Sequence, residues 1–184
     1  GRHAIVRPGL IVGPHDPTGR FTYWASRMAR GGAVLVPGRP ERPVQWIDAR
    51  DLAVWCVQLA VQRIEGGFNA VGPQMAMQDL LAACVHAAGS NAMLHWLNDS
   101  ALQTAGVVPW TGLPLWIPST DADAAGFMNV DCDRAHAAGL RTRPLDETVR
   151  DTAAWLATRD NAGAWQHVLS AAREQLLLSA IDGR

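Results

Sequence analysis

The stretch Ala4-Ile5-Val6-Arg7-Pro8-Gly9-Leu10-Ile11-Val12-Gly13-Pro14-His15-Asp16 constrains the fold more than any other part of the chain. Ala4, Ile5 and Val6 form an apolar run of β-branched character. Arg7-Pro8-Gly9 interrupts it, Leu10-Ile11-Val12 resumes it and Gly13-Pro14 ends it. This pattern predicts a buried strand followed by a loop that comes close to another group. A central strand at the extreme N-terminus is out of place in a free-standing fold, so the expectation is the second half of a larger α/β structure. The first residue, Gly1 rather than Met, fits a fragment, a processed product or a tag remnant.

Composition narrows the function classes. A chain of 184 residues with a net charge of −1 suits one globular domain, or one and a fraction, and offers no basic surface for nucleic acid or an anionic membrane. All sixteen basic residues are Arg, so chemistry that requires a lysine is closed to this chain alone. Cys56, Cys84 and Cys132 are widely spaced. Cys56 and Cys84 fall on apolar helical faces, as expected of free thiols in a reducing compartment. With no signal peptide and no apolar run of spanning length, the expected location is cytoplasmic.

Along the chain, apolar spacing and turn residues predict alternating strands and helices. Phe21, Trp24 and Met28 share one helical face, with Asp16 or Thr18 as the candidate cap and Gly31-Gly32 as the stop. Val34–Val36 and Val44–Ile47 read as short strands, separated by a turn in which Pro40 and Pro43 forbid a helix. Asp48 and Asp51 open a helix from Ala49 to about Arg63, buried along Leu52, Trp55, Cys56 and Leu59. A strand at Phe68–Val71, a helix from Gln78 to Ala88 and an extended segment from Met93 to Leu97 follow. Asn98 or Asp99 then caps a short helix. Pro109, Pro114 and Pro118 rule out a regular element between Val107 and Pro118, leaving a tryptophan-bearing lid or pocket wall. Helices are expected from Cys132 to Ala138 behind an Asp131 cap, from Pro144 to Arg159, and from Ala164 to Ile181.

Three segments in order, Ile-Val-Arg-Pro-Gly-Leu-Ile-Val-Gly-Pro (5–14), Val-Gln-Trp-Ile-Asp-Ala-Arg-Asp-Leu-Ala (44–53) and Gly-Phe-Asn-Ala-Val-Gly (67–72), resemble the C-terminal half of an extended short-chain dehydrogenase/reductase of the NAD-dependent epimerase/dehydratase group. The segment Asn-Val-Asp-x-x-Arg-Ala…Gly-Leu (129–140) resembles that family's tail. The resemblance implies an α/β fold: the C-terminal part of a Rossmann-type parallel sheet and a smaller, mostly helical substrate-binding lobe, with the N-terminal cofactor-binding half absent. Residues 4–12 would be the sixth strand and 67–71 the seventh. Residues 1–72 would hold the last strands, their crossover helices and part of the pocket, and 73–184 the substrate lobe and closing helices.

The same resemblance implies NAD or NADP as cofactor in the complete protein, with Arg7, Pro8 and Gly9 passing beside the nicotinamide and the Gly13–Asp16 loop bordering the substrate. The family's Gly-rich loop and Tyr-x-x-x-Lys pair lie before this segment. Tyr23 is followed four residues later by Arg27, so no catalytic role is carried over to it. The nucleotide-sugar branch has an Arg where Val44 stands here, which favours a small, less charged carbonyl or hydroxyl compound unless another Arg, such as Arg42 or Arg50, takes its place. His15, Trp24, Trp46, Trp110 and Trp116 are the candidate substrate contacts.

Simpler readings stand beside these. Helix capping accounts for Asp48 and Asp51 without acid–base chemistry. Asp131, Cys132, Asp133 and His136 match no zinc spacing, so no metal is expected. Tryptophans are most often core residues. Two functions follow: the substrate-binding part of an NAD(P)-dependent reductase or epimerase, or a non-catalytic truncated relative that acts as a binding module. Either way the open sheet edge calls for a partner, which is the missing N-terminal half or a second copy.

Overall fold

The computed structural model describes residues 3–159, 165 and 167–182. Strand β1 (Ala4–Pro8) lies parallel to β6 (Gly66–Ala70), in register from Ala4 opposite Gly66 to Pro8 opposite Ala70. Between them the chain forms β2 (Ile11–Val12), helix α1 (Arg20–Ala29), β3 (Ala33–Pro37), β4 (Pro43–Val44), β5 (Ile47–Asp48) and α2 (Ala49–Gln62). β2 pairs with β5 in parallel. After β6 come β7 (Met75–Ala76), α3 (Met77–Ala88), β8 (Met93–Leu97), α4 (Asp99–Thr104), α5 (Asp133–Ala137), α6 (Leu145–Ala157) and α7 (Ala171–Asp182). β3 pairs with β8 in parallel, and β4 with β7 antiparallel. This is a mixed α/β fold of small, mainly parallel sheets.

Two apolar cores result. The larger gathers Phe21, Trp24 and Met28 of α1, the strand Val34-Leu35-Val36, Leu80 and Leu81 of α3, and Leu113, Leu115 and Trp116 of the proline-rich loop. The smaller sandwiches Trp55 and Leu59 of α2 against Phe68 and Ala70 of β6, with Ala135 and Leu140 closing one side. Each core draws on residues from both sides of residue 72. Each fully buried indole N–H finds an acceptor: Trp24 donates to the Pro114 carbonyl at 2.9 Å, Trp55 to that of Ala138 at 3.1 Å, and Trp116 to Asp99 Oδ1 at 2.8 Å.

Several expectations are corrected. The opening strand is not buried: Ile5 is 53% exposed, because among the described residues only β6 lies beside β1. Val44–Ile47 is not one strand. The ladder breaks at Gln45-Trp46, whose backbone and side chain turn instead to Gly72 and Val130, so β4 and β5 serve different partners. α1 is preceded by Gly19 in the left-handed region rather than by a side-chain cap, since Asp16 spends its oxygens on the Thr18 N–H and the Thr22 hydroxyl. Asp48 caps α2 as expected, but Asp51 does not cap; it receives the backbone N–H and guanidinium of Arg143. α5 is shorter at both ends than expected, and Asp131 accepts from the Asp133 N–H just ahead of it. α7 starts at Ala171, where the Ser170 hydroxyl accepts from the Arg173 N–H; Ala164 lies outside the described residues.

Two buried ionic arrangements hold the elements together. Glu174 of α7 accepts from Arg27 Nε at 3.0 Å and from the Leu35 N–H at 3.1 Å, so one carboxylate ties α7 to α1 and β3. Asp48 is 3% exposed and accepts from Arg50 Nε at 3.0 Å, Arg50 Nη2 at 2.8 Å and the Thr148 hydroxyl at 2.9 Å, with Arg143 Nε 3.5 Å away. Arg50 also pairs with Asp151, and Arg143 with Asp51 and Glu147. The network fastens the start of α2 to α6. Burial alone would push the Asp48 carboxyl up; the hydrogen bonds from Arg50 and Thr148 and the charge of Arg143 hold it below the usual carboxylate value.

Removing one partner of a buried pair strands the other. Glu174→Ala is therefore expected to cost about 3 kcal/mol and to lower Tm by roughly 10 °C in calorimetry. Asp48 has a folded pKa below its unfolded value of 3.8, so its contribution is complete above that value and is lost as pH falls through the folded one. Asp48→Asn should cost about 2 kcal/mol at neutral pH and flatten the acid limb of a stability-versus-pH profile measured by urea unfolding.

Candidate functional site

A cavity of about 710 Å³ opens where the parallel strands end. Pro8, Gly9 and Leu10 line it as the chain leaves β1, and Val71 as it leaves β6. Ile11 and Val12 line it from β2, Pro14 and His15 from beyond β2, and Ala49 from beyond β5. Asp16, Pro17 and Thr18 follow His15, and Gln45, Phe127 and Val130 complete the wall. Its size is within the range of small-molecule sites, and the carboxyl ends of parallel strands are where α/β sheets place their ligands.

Local sequence builds this wall. Gly9 donates to the Ala70 carbonyl at 3.2 Å and lies so close to β6 that a Cβ on it would stand 2.8 Å from Val71 Cγ2. Gly13 has φ +116°, and a Cβ there would meet Asp48 Oδ2 at 3.3 Å, so the loop runs directly over the buried carboxylate. His15 follows with φ +69°, a region few residues other than glycine adopt, and its ring packs on Trp155 of α6 at 5.3 Å. Gln45 reaches across the floor: its Nε2 donates to the carbonyls of Gly72 and Val130, both at 3.0 Å, and its Oε1 accepts from the Val130 N–H at 2.9 Å.

Among the candidates read from the sequence, Pro8, Gly9 and His15 are brought together on this wall. Arg7 is not; it stands on exposed β1 opposite Asn69. Trp24 and Trp116 are fully buried in the larger core and do not reach the cavity. Trp46 is buried, edge-on to Phe21 at 5.3 Å, and lines a separate cleft beside Asp48 and Arg143. Trp110 stands one residue behind the wall, with its ring 5.0 Å from that of Phe127. Gln45, Phe127 and Val130 were missed. Phe127 is the one aromatic between Ser119 and Val130, a signal the sequence does carry; nothing in the local pattern marks Gln45.

The titratable side chains on the wall are His15 and Asp16, and Asp16 is engaged by Thr18 and Thr22. Tyr23 lies in the core, its hydroxyl pushed up to about 12 by burial and by the charge of Glu174, so it is no acid–base group at neutral pH. The Cys132 thiol is raised by burial and by Asp133 and Asp131, which leaves it protonated rather than nucleophilic. Among the described residues no helix is long and apolar enough to cross a membrane, and no group of three or more His, Cys, Asp or Glu is placed to hold a metal ion.

No protein-family model matches the sequence, and no curated protein matches it. Solved structures do. The Bordetella bronchiseptica enzyme WbmH, determined with NAD+, is 19% identical over 84% of this chain and 45% of its own length, with a TM-score of 0.59. RMD from Pseudomonas aeruginosa, complexed with NADPH, is 12% identical over 84% and 48%, at 0.58. A UDP-glucose 4-epimerase from Thermus thermophilus, complexed with NAD, is 18% identical over 84% and 46%, at 0.55. The chain thus spans about half the length of the structures it matches, and it shares with that half a Rossmann-type α/β fold.

Proposed function

We propose that this chain is the substrate-binding portion of an NAD(P)-dependent reductase or epimerase that acts by hydride transfer on a small, non-nucleotide carbonyl or hydroxyl compound. The observation that carries this reading is the position of the cavity, at the carboxyl ends of β1, β2, β5 and β6, with Pro8 and Gly9 on its wall. Those two residues suit a flat nicotinamide ring, because Pro8 has no backbone N–H and Gly9 no side chain to stand in its way. A nicotinamide bound there supplies or accepts the hydride. His15 faces the substrate, Gln45 fixes the floor, and the aliphatic wall of Leu10, Ile11, Val12 and Val71 excludes water. Trp110 acts from behind the wall, through Phe127.

The proton-transferring pair must come from outside this chain, which has no lysine and whose single tyrosine is buried. In this reading residues 1–72 carry the last strands of the sheet and 73–184 the substrate lobe. A preceding cofactor-binding half, or a second copy in its place, covers the free edge of β1 and the groove between β1 and α2, lined by Val6, Cys56, Leu59 and Ile64. Three unpaired thiols support a reducing, cytoplasmic setting.

The test uses the polypeptide expressed together with the coding sequence that precedes Gly1. It is expected to bind NADH or NADPH in a fluorescence titration and to consume it when a small aldehyde is added. Absence of nicotinamide binding would overturn the reading and leave the non-catalytic binding module.

A further inference from the structure

Among the described residues the cavity wall carries one phenyl ring, and the fold leaves it half exposed. Phe127 is 53% exposed and forms part of the wall. A single exposed apolar residue is ordinary, but this one is braced. Its N–H donates to the Ala124 carbonyl at 3.0 Å. The next residue's carbonyl, on Met128, accepts from Gln74 Nε2 at 2.7 Å, and Val130 is held at both backbone groups by Gln45. The ring itself meets Trp110 nearly edge to face, at 79° with centroids 5.0 Å apart, and the Arg20 guanidinium lies 5.0 Å over the Trp110 ring. Trp110 adopts φ +65° to stand there. Arg20, Trp110 and Phe127 therefore form a stack that supports an aromatic ring and leaves it half exposed beside an aliphatic cavity.

A ring so supported loses little freedom when a ligand covers it, which is the property of a stacking surface. Among the described residues that line the cavity none is Arg, and the Arg20 charge lies behind the Trp110 ring.

We propose that Phe127 is a specificity-determining residue of this cavity, selecting uncharged molecules that present a planar apolar group to its ring. This rests on the substrate reading given above. It is tested apart from it, because ligand binding to the wall requires no cofactor.

The experiment titrates the 184-residue chain with cinnamyl alcohol and, separately, with UDP-glucose, by isothermal calorimetry. Cinnamyl alcohol is expected to bind saturably and UDP-glucose to bind more weakly. Phe127→Ala should weaken cinnamyl alcohol about tenfold while lowering Tm by no more than about 5 °C, and Phe127→Trp should retain binding. Equal binding by Phe127→Ala, no binding by the unmodified chain, or tighter binding of UDP-glucose would overturn the proposal. A longer polypeptide that fails to bind NAD(P)H, beside a chain whose cinnamyl alcohol binding depends on Phe127, would refute the redox reading and leave this one standing.

Discussion

The buried carboxylate of Asp48 is the contact on which the rest of the structure depends. It ends β5, caps α2 and accepts from Thr148 of α6, and the Gly13 backbone of the cavity loop passes over it. One side chain thus fixes the relation between the strand ends, the crossover helix and the closing helix. A charge this deep is costly unless its lone pairs are filled; here the Arg50 guanidinium and backbone N–H and the Thr148 hydroxyl fill them, and Arg143 adds a second positive charge 3.5 Å away. The same arginines carry the contact outward to Asp51, Glu147 and Asp151, so the junction is a network rather than a pair.

From that junction the cavity follows. Four parallel strands end on one side, and each contributes its last residue or the next few to the wall. Glycines at 9 and 13 allow the loop between β1 and α1 to lie close to β6 and to Asp48, where side chains would collide. The larger core lies behind Phe127: Trp24 and Trp116 fill its interior and spend their indole N–H groups on Pro114 and Asp99, which holds in place the proline-rich loop whose Trp110 meets the Phe127 ring. The tryptophans therefore shape the cavity indirectly, by fixing what lines it.

Much of this was readable from the sequence, for identifiable reasons. Helices with a strong apolar spacing and a capping aspartate or a terminal glycine, such as α2 and α3, emerged close to their expected bounds because local signals dominate there. Val44–Ile47 misled because a run of strand-forming residues does not reveal that its pairing partner changes midway. The tryptophans misled because size and apolarity are shared by core and pocket residues alike. Phe127 and Gln45 were overlooked because they are brought to the wall by contacts 54 to 85 residues apart in sequence, through Gln74 and Val130. The exposure of β1 is itself informative: its apolar sequence is that of a covered strand, while its outer edge has no neighbour among the described residues.

That mismatch makes the edge of β1 the most direct place to examine the central claim, that the parallel sheet continues past it. Amide hydrogen exchange across residues 4–8 can be measured in the 184-residue chain and in the polypeptide expressed with its preceding coding sequence. The expected result is fast exchange at the β1 amides that do not bond β6 in the shorter chain, slowed by about a hundredfold in the longer one. Equal exchange in both would contradict the claim and make β1 a true outer edge.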